Sequence, residues 1–125
     1  MYKNSDFLSM TQPHAAGSLL STVGDLNTWY HSVLNDEIIS ANSRKMAHTP
    51  ETLNDGEALD YGFGWGIGNI QGVPMIQHGG GINGFLSASL VLPEEKLFVA
   101  VLSNCNCNPP GELANKIAAR GIITT

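Results

Sequence analysis

The sequence predicts an α+β protein in which helices pack on an antiparallel sheet. A change of period along its 125 residues carries this expectation. Apolar residues recur every three or four positions between residues 22 and 34, the mark of an amphipathic helix. Large and small residues then alternate with a period of two from residue 61 onward, and short turn-rich links separate the alternating runs. A second helical pattern closes the chain. The length sets a prior of one domain. Residues 1–60 form its mostly helical part, and residues 61–125 its sheet and last helix.

Residues 1–17 mix polar residues with Pro13, His14 and Gly17 and show no period, so they are expected to be a loop. Thr22 followed three residues later by Asp25 fits the spacing of a helix N-terminal cap. Val23, Leu26, Tyr30 and Val33 form the stripe of that helix, and Trp29 and Leu34 widen it. Trp29 is expected to be a core anchor, and Asn35 to end the helix. Ser40 caps a shorter helix over residues 41–48, closed by Pro50. Residues 51–60 are acidic and turn-rich, a loop.

In residues 61–68, Tyr61, Phe63, Trp65 and Ile67 alternate with four glycines. That pattern is a strand with one bare face, against which something packs closely. A nucleotide-binding glycine loop would need a helix to start directly after it, whereas residues 69–74 have turn composition. Residues 75–78 form a short strand running into Gly79, Gly80 and Gly81. Residues 85–92 place Leu86, Ala88, Leu90 and Leu92 on one side and Ser87 and Ser89 on the other. Residues 93–96 make a four-residue hairpin link. Residues 97–102 are apolar on both faces, as in a strand covered above and below. Asn108 and Pro109 open the final helix, with Leu113, Ala114, Ile117 and Ala118 as its buried stripe. Arg120 suits the negative end of its dipole, and Gly121 takes the position just past its end.

Six Lys+Arg against eleven Asp+Glu give a net charge of −5 with no basic cluster, so no nucleic-acid partner is expected. The longest run of aliphatic and aromatic residues, 97–102, is too short to span a bilayer. The opening residues also lack the charged-then-apolar pattern of a signal peptide. Cys105 and Cys107 lie two apart, with no other thiol or histidine near them to complete a metal site. A bridge over one residue would need a strained loop, so both are expected to be small structural thiols. His14, His31 and His48 have no ligand-type neighbours in sequence. No metal and no cofactor are expected.

The densest candidate for chemistry is residues 76–85, with His78 followed by Gly79, Gly80 and Gly81. An imidazole can give or take a proton. Three glycines expose backbone N–H groups with no side chains in the way, which suits an oxyanion site or a substrate docking as an added strand. The plain alternative is a glycine-rich bend beside a surface histidine. An α/β-hydrolase, where His-Gly-Gly-Gly also occurs, requires a later Gly-x-Ser-x-Gly, and none follows Gly81.

The order of these pieces resembles the C-terminal part of the serine β-lactamase-like family. That family comprises class C β-lactamases, D-alanyl-D-alanine carboxypeptidases and related esterases. The matching stretches are Ala15-Ala16-Gly17-Ser18, Ser21-Thr22-Val23-Gly24-Asp25-Leu26 and Tyr61-Gly62-Phe63-Gly64-Trp65. His78-Gly79-Gly80-Gly81 with Gly84-Phe85, and Leu102-Ser103-Asn104, complete the set. The resemblance implies an acyl-enzyme mechanism, with a serine nucleophile, a lysine three residues on and a proton-shuttling tyrosine. His78 and Gly81 would be its catalytic members here, Gly81 through a backbone N–H of the oxyanion hole. Gly79, Gly80, Tyr61 and Asn104 would contact substrate. Histidine in place of the class C lysine leans toward the peptidase and esterase branches.

The sequence contains no Ser-x-x-Lys. Tyr2-Lys3-Asn4 has the letters of the family's Tyr-x-Asn element but lies too close to Ala15, and is taken as chance. The expectation is therefore an incomplete domain with a partial β-lactamase/penicillin-binding-protein-like fold, a C-terminal fragment inactive by itself. Its substrate in the complete protein would be a β-lactam, a peptide or an ester. The strand at residues 97–102 would keep an open edge, so the isolated chain self-associates or pairs with a missing N-terminal half. The family is often periplasmic or secreted, and the chain itself does not decide its compartment. The competing expectation is a non-catalytic peptide-binding or structural α+β module.

Overall fold

The computed structural model describes residues 3–122, so Tyr2 of the Tyr-x-Asn lettering lies outside the described residues. The opening segment is not all loop: His14–Gly17 makes one helical turn, α1. Helix α2, Val23–Leu34, starts where the sequence places it. The Thr22 side chain accepts the Asp25 N–H, supplying one of the orphan bonds of a helix start. Tyr30 and Val33 are buried on its inner stripe. Trp29 is not a core anchor. One residue before Tyr30, it is turned to the flank of the helix, remains 43% exposed and stacks on Trp65 with ring centres 5.6 Å apart. Val23 is exposed too. Helix α3, Ala41–Ala47, has Ser40 as its N-terminal cap and ends at Ala47, one residue earlier than expected, with His48 as its C-terminal cap.

The sheet has four antiparallel strands in the order β1-β2-β3-β4: Gly66–Ile70, Val73–Ile82, Phe85–Leu92 and Leu97–Ser103. The alternating run at residues 61–68 is a strand only from Gly66. Ahead of it the chain is pinned to the end of α3, where the Phe63 N–H donates to the Ala47 carbonyl. A Cβ on Gly62 would lie 2.2 Å from that same oxygen. The expected turn at residues 69–74 contracts to Gln71-Gly72. Both adopt positive φ (53° and 85°), as a two-residue hairpin link requires.

Gly79, Gly80 and Gly81 do not form a bend. They continue β2 and pair with Ala88, Ser87 and Leu86 of β3. Glycine suits this place because β3 crowds it: a Cβ on Gly80 would meet Ser87 Oγ at 2.8 Å.

The sheet has a buried layer on each face. On one, Met75, Leu90, Leu92 and Val99 pack against Ala114 and Ala118 of α4, Pro110–Ile122. On the other, Ile76 and Val91 pack against Tyr30, with Ile67, Trp65 and Phe98 beside them. Full burial of a side chain such as Leu90 or Leu92 contributes about 1.5–3 kcal/mol. Strand β4 is thus covered above and below by α4 and α2 although it is the last strand of the sheet.

Three expectations about α4 change. Leu113 and Ile117 are exposed, and the contact is made by the small residues Ala114 and Ala118 one position on, which bring the helix close to the sheet. The helix begins at Pro110, whose missing N–H costs nothing at a first position. Gly121 lies inside it: a Cβ there would be 2.6 Å from Leu97 Cδ2.

Cys105 and Cys107 are not free thiols but form a disulfide, S–S 2.07 Å. The expected obstacle disappears because the chain turns after β4. Ser103 Oγ accepts the Cys105 N–H, and the two Cα atoms come within 5.2 Å, inside the ordinary range for a bridge. Among the described residues no helix is long and apolar enough to cross a membrane.

Candidate active site

Strand β2 has ten residues, but β1 pairs only with its first half, the last pair being Gly66 with Gln77. From His78 to Ile82 the strand therefore has β3 on one side and, among the described residues, no strand on the other. The direction of its backbone groups follows from one bond. Ser89 Oγ donates to the His78 carbonyl at 3.2 Å, so that carbonyl faces β3. Backbone groups alternate sides along a strand. Gly79 and Gly81 therefore aim N–H and C=O at the open edge, and Gly80 aims its own at β3. The Gly79 carbonyl accepts the His78 ring Nδ1–H at 2.6 Å, in keeping with this direction. No backbone bond from another segment reaches Gly79 or Gly81 among the described residues.

The structure brings Tyr61 and His78 together. Tyr61 Oη and His78 Nε2 are 2.9 Å apart and both residues are exposed. A carbonyl can only accept, so His78 Nδ1 carries a proton toward Gly79. In the neutral ring Nε2 is then the acceptor and Tyr61 donates to it. In the imidazolium Nε2 donates instead, and the phenol oxygen accepts. The ring can take up a proton without losing either partner.

Behind His78 stands a relay absent from the sequence-based candidates. Ser89 gives its only hydroxyl proton to the His78 carbonyl, so Tyr30 donates to Ser89 Oγ at 3.2 Å. Burial pushes the Tyr30 phenol above its ordinary pKa, with the Ser89 bond opposing weakly, so Tyr30 is a neutral donor. The polar alternation of Ser87 and Ser89 marks this face in the sequence, but only the pairing of Ser89 with His78 shows what it serves.

Asn104 is not gathered with the others. It follows β4, whose Ser103 is opposite Leu86, itself opposite Gly81. Two strand spacings, about 10 Å, separate that end of β4 from Gly81. His48 belongs to another place, with its ring edge-on to Trp65 and its Nε2 buried without a hydrogen-bond partner among the described residues.

Residues 2–122 match the family model described as Beta-lactamase. The chain is 32% identical over 108 residues to penicillin-binding protein 4* of Bacillus subtilis (strain 168), covering 86% of this chain and 24% of that protein. It also resembles the solved structure of the octameric penicillin-binding protein homologue from Pyrococcus abyssi. There the TM-score is 0.75 at 28% identity, over 86% of this chain and 26% of the other. This chain thus spans about a quarter of the length of either relative. By its sequence match and by its sheet with flanking helices, the chain belongs to the β-lactamase family.

Proposed function

We propose that this chain supplies the substrate-binding wall of a serine acyl-transfer hydrolase acting on a β-lactam, a peptide or an ester. The observation that carries the reading is the open edge of β2, where Gly79 and Gly81 present backbone N–H groups beside the His78–Tyr61 pair. An extended acyl substrate lies along this edge as an added strand. The Gly81 N–H receives the oxygen that becomes negative when the acyl carbon is attacked. His78 gives polar or positive potential to a substrate carboxylate, or passes a proton. Gly79 and Gly80 leave room for the substrate backbone. The nucleophile and its lysine are not on this chain and come from sequence N-terminal to it in the complete polypeptide, so these 125 residues are inactive by themselves.

The test uses the complete gene product, with turnover of nitrocefin and p-nitrophenyl acetate and covalent labelling by a fluorescent penicillin. Gly81→Pro removes the N–H on the unpaired edge, where proline is tolerated. It is expected to lower kcat by about 10²–10³-fold, the usual loss for one oxyanion donor, while labelling of the upstream serine slows in parallel. Unchanged turnover in that variant, or turnover by the 125-residue chain alone, overturns the reading. The edge of β4 supports a second part of the proposal: alone, this chain associates with copies of itself through that strand, and in the complete protein the edge receives a strand from the N-terminal half. The relative from Pyrococcus abyssi is octameric.

A further inference from the structure

The link between β4 and α4 holds the only two cysteines of the chain, bridged to each other across Asn106. This bridge ties no two elements together. Its ring closes over one residue, so by chain entropy it constrains the unfolded state far less than a bridge across a long loop. A role other than stapling the fold is therefore needed to account for it. The surroundings of the two sulfurs point to chemistry. The Cys107 N–H donates to Cys105 Sγ at 3.0 Å, and Asn108 Nδ2 donates to Cys107 Sγ at 3.5 Å. Both are donors that a thiolate accepts better than a thiol does. The positive end of α4 begins at Pro110, three residues beyond Cys107. The two sulfurs also differ in access, since Cys107 is exposed and Cys105 half-buried.

We propose that Cys105 and Cys107 form a redox-active pair that exchanges two electrons with a small dithiol or with two monothiols. A thiolate of the reductant attacks the exposed Cys107 Sγ, forming a mixed disulfide and breaking the Cys105–Cys107 bond. The bonding electron pair leaves on Cys105 as a thiolate, held by the Cys107 N–H, and this sulfur then takes a proton from solvent. A second thiolate attacks the reductant's sulfur in the mixed disulfide and releases Cys107 as a thiolate, which is protonated in turn. The chain has gained two electrons and two protons, and the reductant has become a disulfide. The reverse sequence restores the bridge. Ser103, which contacts both backbone polar groups of Cys105, keeps the first residue of the link in place during the exchange.

The experiment incubates the full chain, purified without reductant, in graded glutathione redox buffers and traps free thiols with iodoacetamide before intact-mass and peptide analysis. The expected result is a reversible gain of two alkyl groups per chain, in buffers that leave the circular-dichroism spectrum and thermal midpoint unchanged. Peptide mapping is expected to find the glutathione adduct on Cys107. Two thiols already free in the purified protein overturn the proposal. So does a bridge that opens only when the chain unfolds, or an adduct confined to Cys105. Asn108→Ala is the supporting variant, expected to lose part of the reactivity of Cys107 toward iodoacetamide in the reduced chain without altering its spectrum. Equal reactivity in that variant removes Asn108 from the proposal's site.

Discussion

Tyr61 Oη meets His78 Nε2 at 2.9 Å across 17 residues of sequence, and the other ring nitrogen of His78 is bound to the Gly79 carbonyl. The imidazole is thereby fixed at both nitrogens while staying exposed. Tyr61→Phe removes one of the two fixed points and leaves the packing of the ring in place. In the complete gene product it is expected to reduce kcat/KM by up to about tenfold, the worth of one hydrogen bond. The thermal midpoint of the 125-residue chain should hardly move. A steady-state comparison of the two proteins on p-nitrophenyl acetate checks this, and equal kcat/KM would leave the pair without a role in substrate handling.

Gly62 is required by space rather than by its dihedral angles. The Ala47 carbonyl oxygen is 2.2 Å from where a Cβ would be, and it is backbone that cannot turn aside. Gly62→Ala is expected to destabilise the chain by at least about 2 kcal/mol, the range of core overpacking. Gly56→Ala meets no neighbour and pays only for its φ of +91°, about 1 kcal/mol. Urea denaturation of both variants ranks them, and the reverse order would contradict the docking of residues 61–65 on α3.

His48 makes stability depend on pH. Burial, and secondarily the charge of Arg44, hold its pKa below the ordinary imidazole value. Arg44 is itself paired with Asp36 at 2.6 Å. The unfolded chain therefore takes up the His48 proton at a higher pH than the folded one. Stability is fully present above about pH 6.5 and declines as pH falls below it, until the folded form binds the proton as well. His48→Phe keeps an aromatic ring against Trp65 and should flatten this part of the profile. Chemical denaturation at a series of pH values between 8 and 5, roughly the imidazole range, gives the comparison. A wild-type profile that matches the variant's would rule out His48 as its source.

Phe98, Ala100 and Leu102 aim their backbone groups outward from β4, because their neighbours Val99 and Val101 face β3 in the alternation set by Ser89 and His78. Ala100→Pro removes an outward N–H and leaves the ladder to β3 intact. The isolated chain is expected to elute as a concentration-dependent oligomer, and the variant to shift toward monomer. Sedimentation velocity at several micromolar concentrations decides, and a monomeric parent chain would refute association through this edge.

The sequence by itself determined the elements whose causes are local. Thr22 and Asp25 fixed the start of α2, Ser40 that of α3, and the alternation of residues 85–92 gave a strand with two distinct faces, all of which the structure contains. His78 and its glycines were legible as a candidate because their chemistry is uncommon in combination. The tertiary structure decided everything that depends on which segment lies beside which. Residues 61–65 left the strand because the Ala47 carbonyl captures them, and Trp29 left the core because Tyr30 occupies the inward position. Cys105 met Cys107 because Ser103 turns the chain. Periodicity reports which side of an element is apolar, but not its neighbour, and the open edge at Gly79 and Gly81 exists only because β1 stops pairing at Gln77.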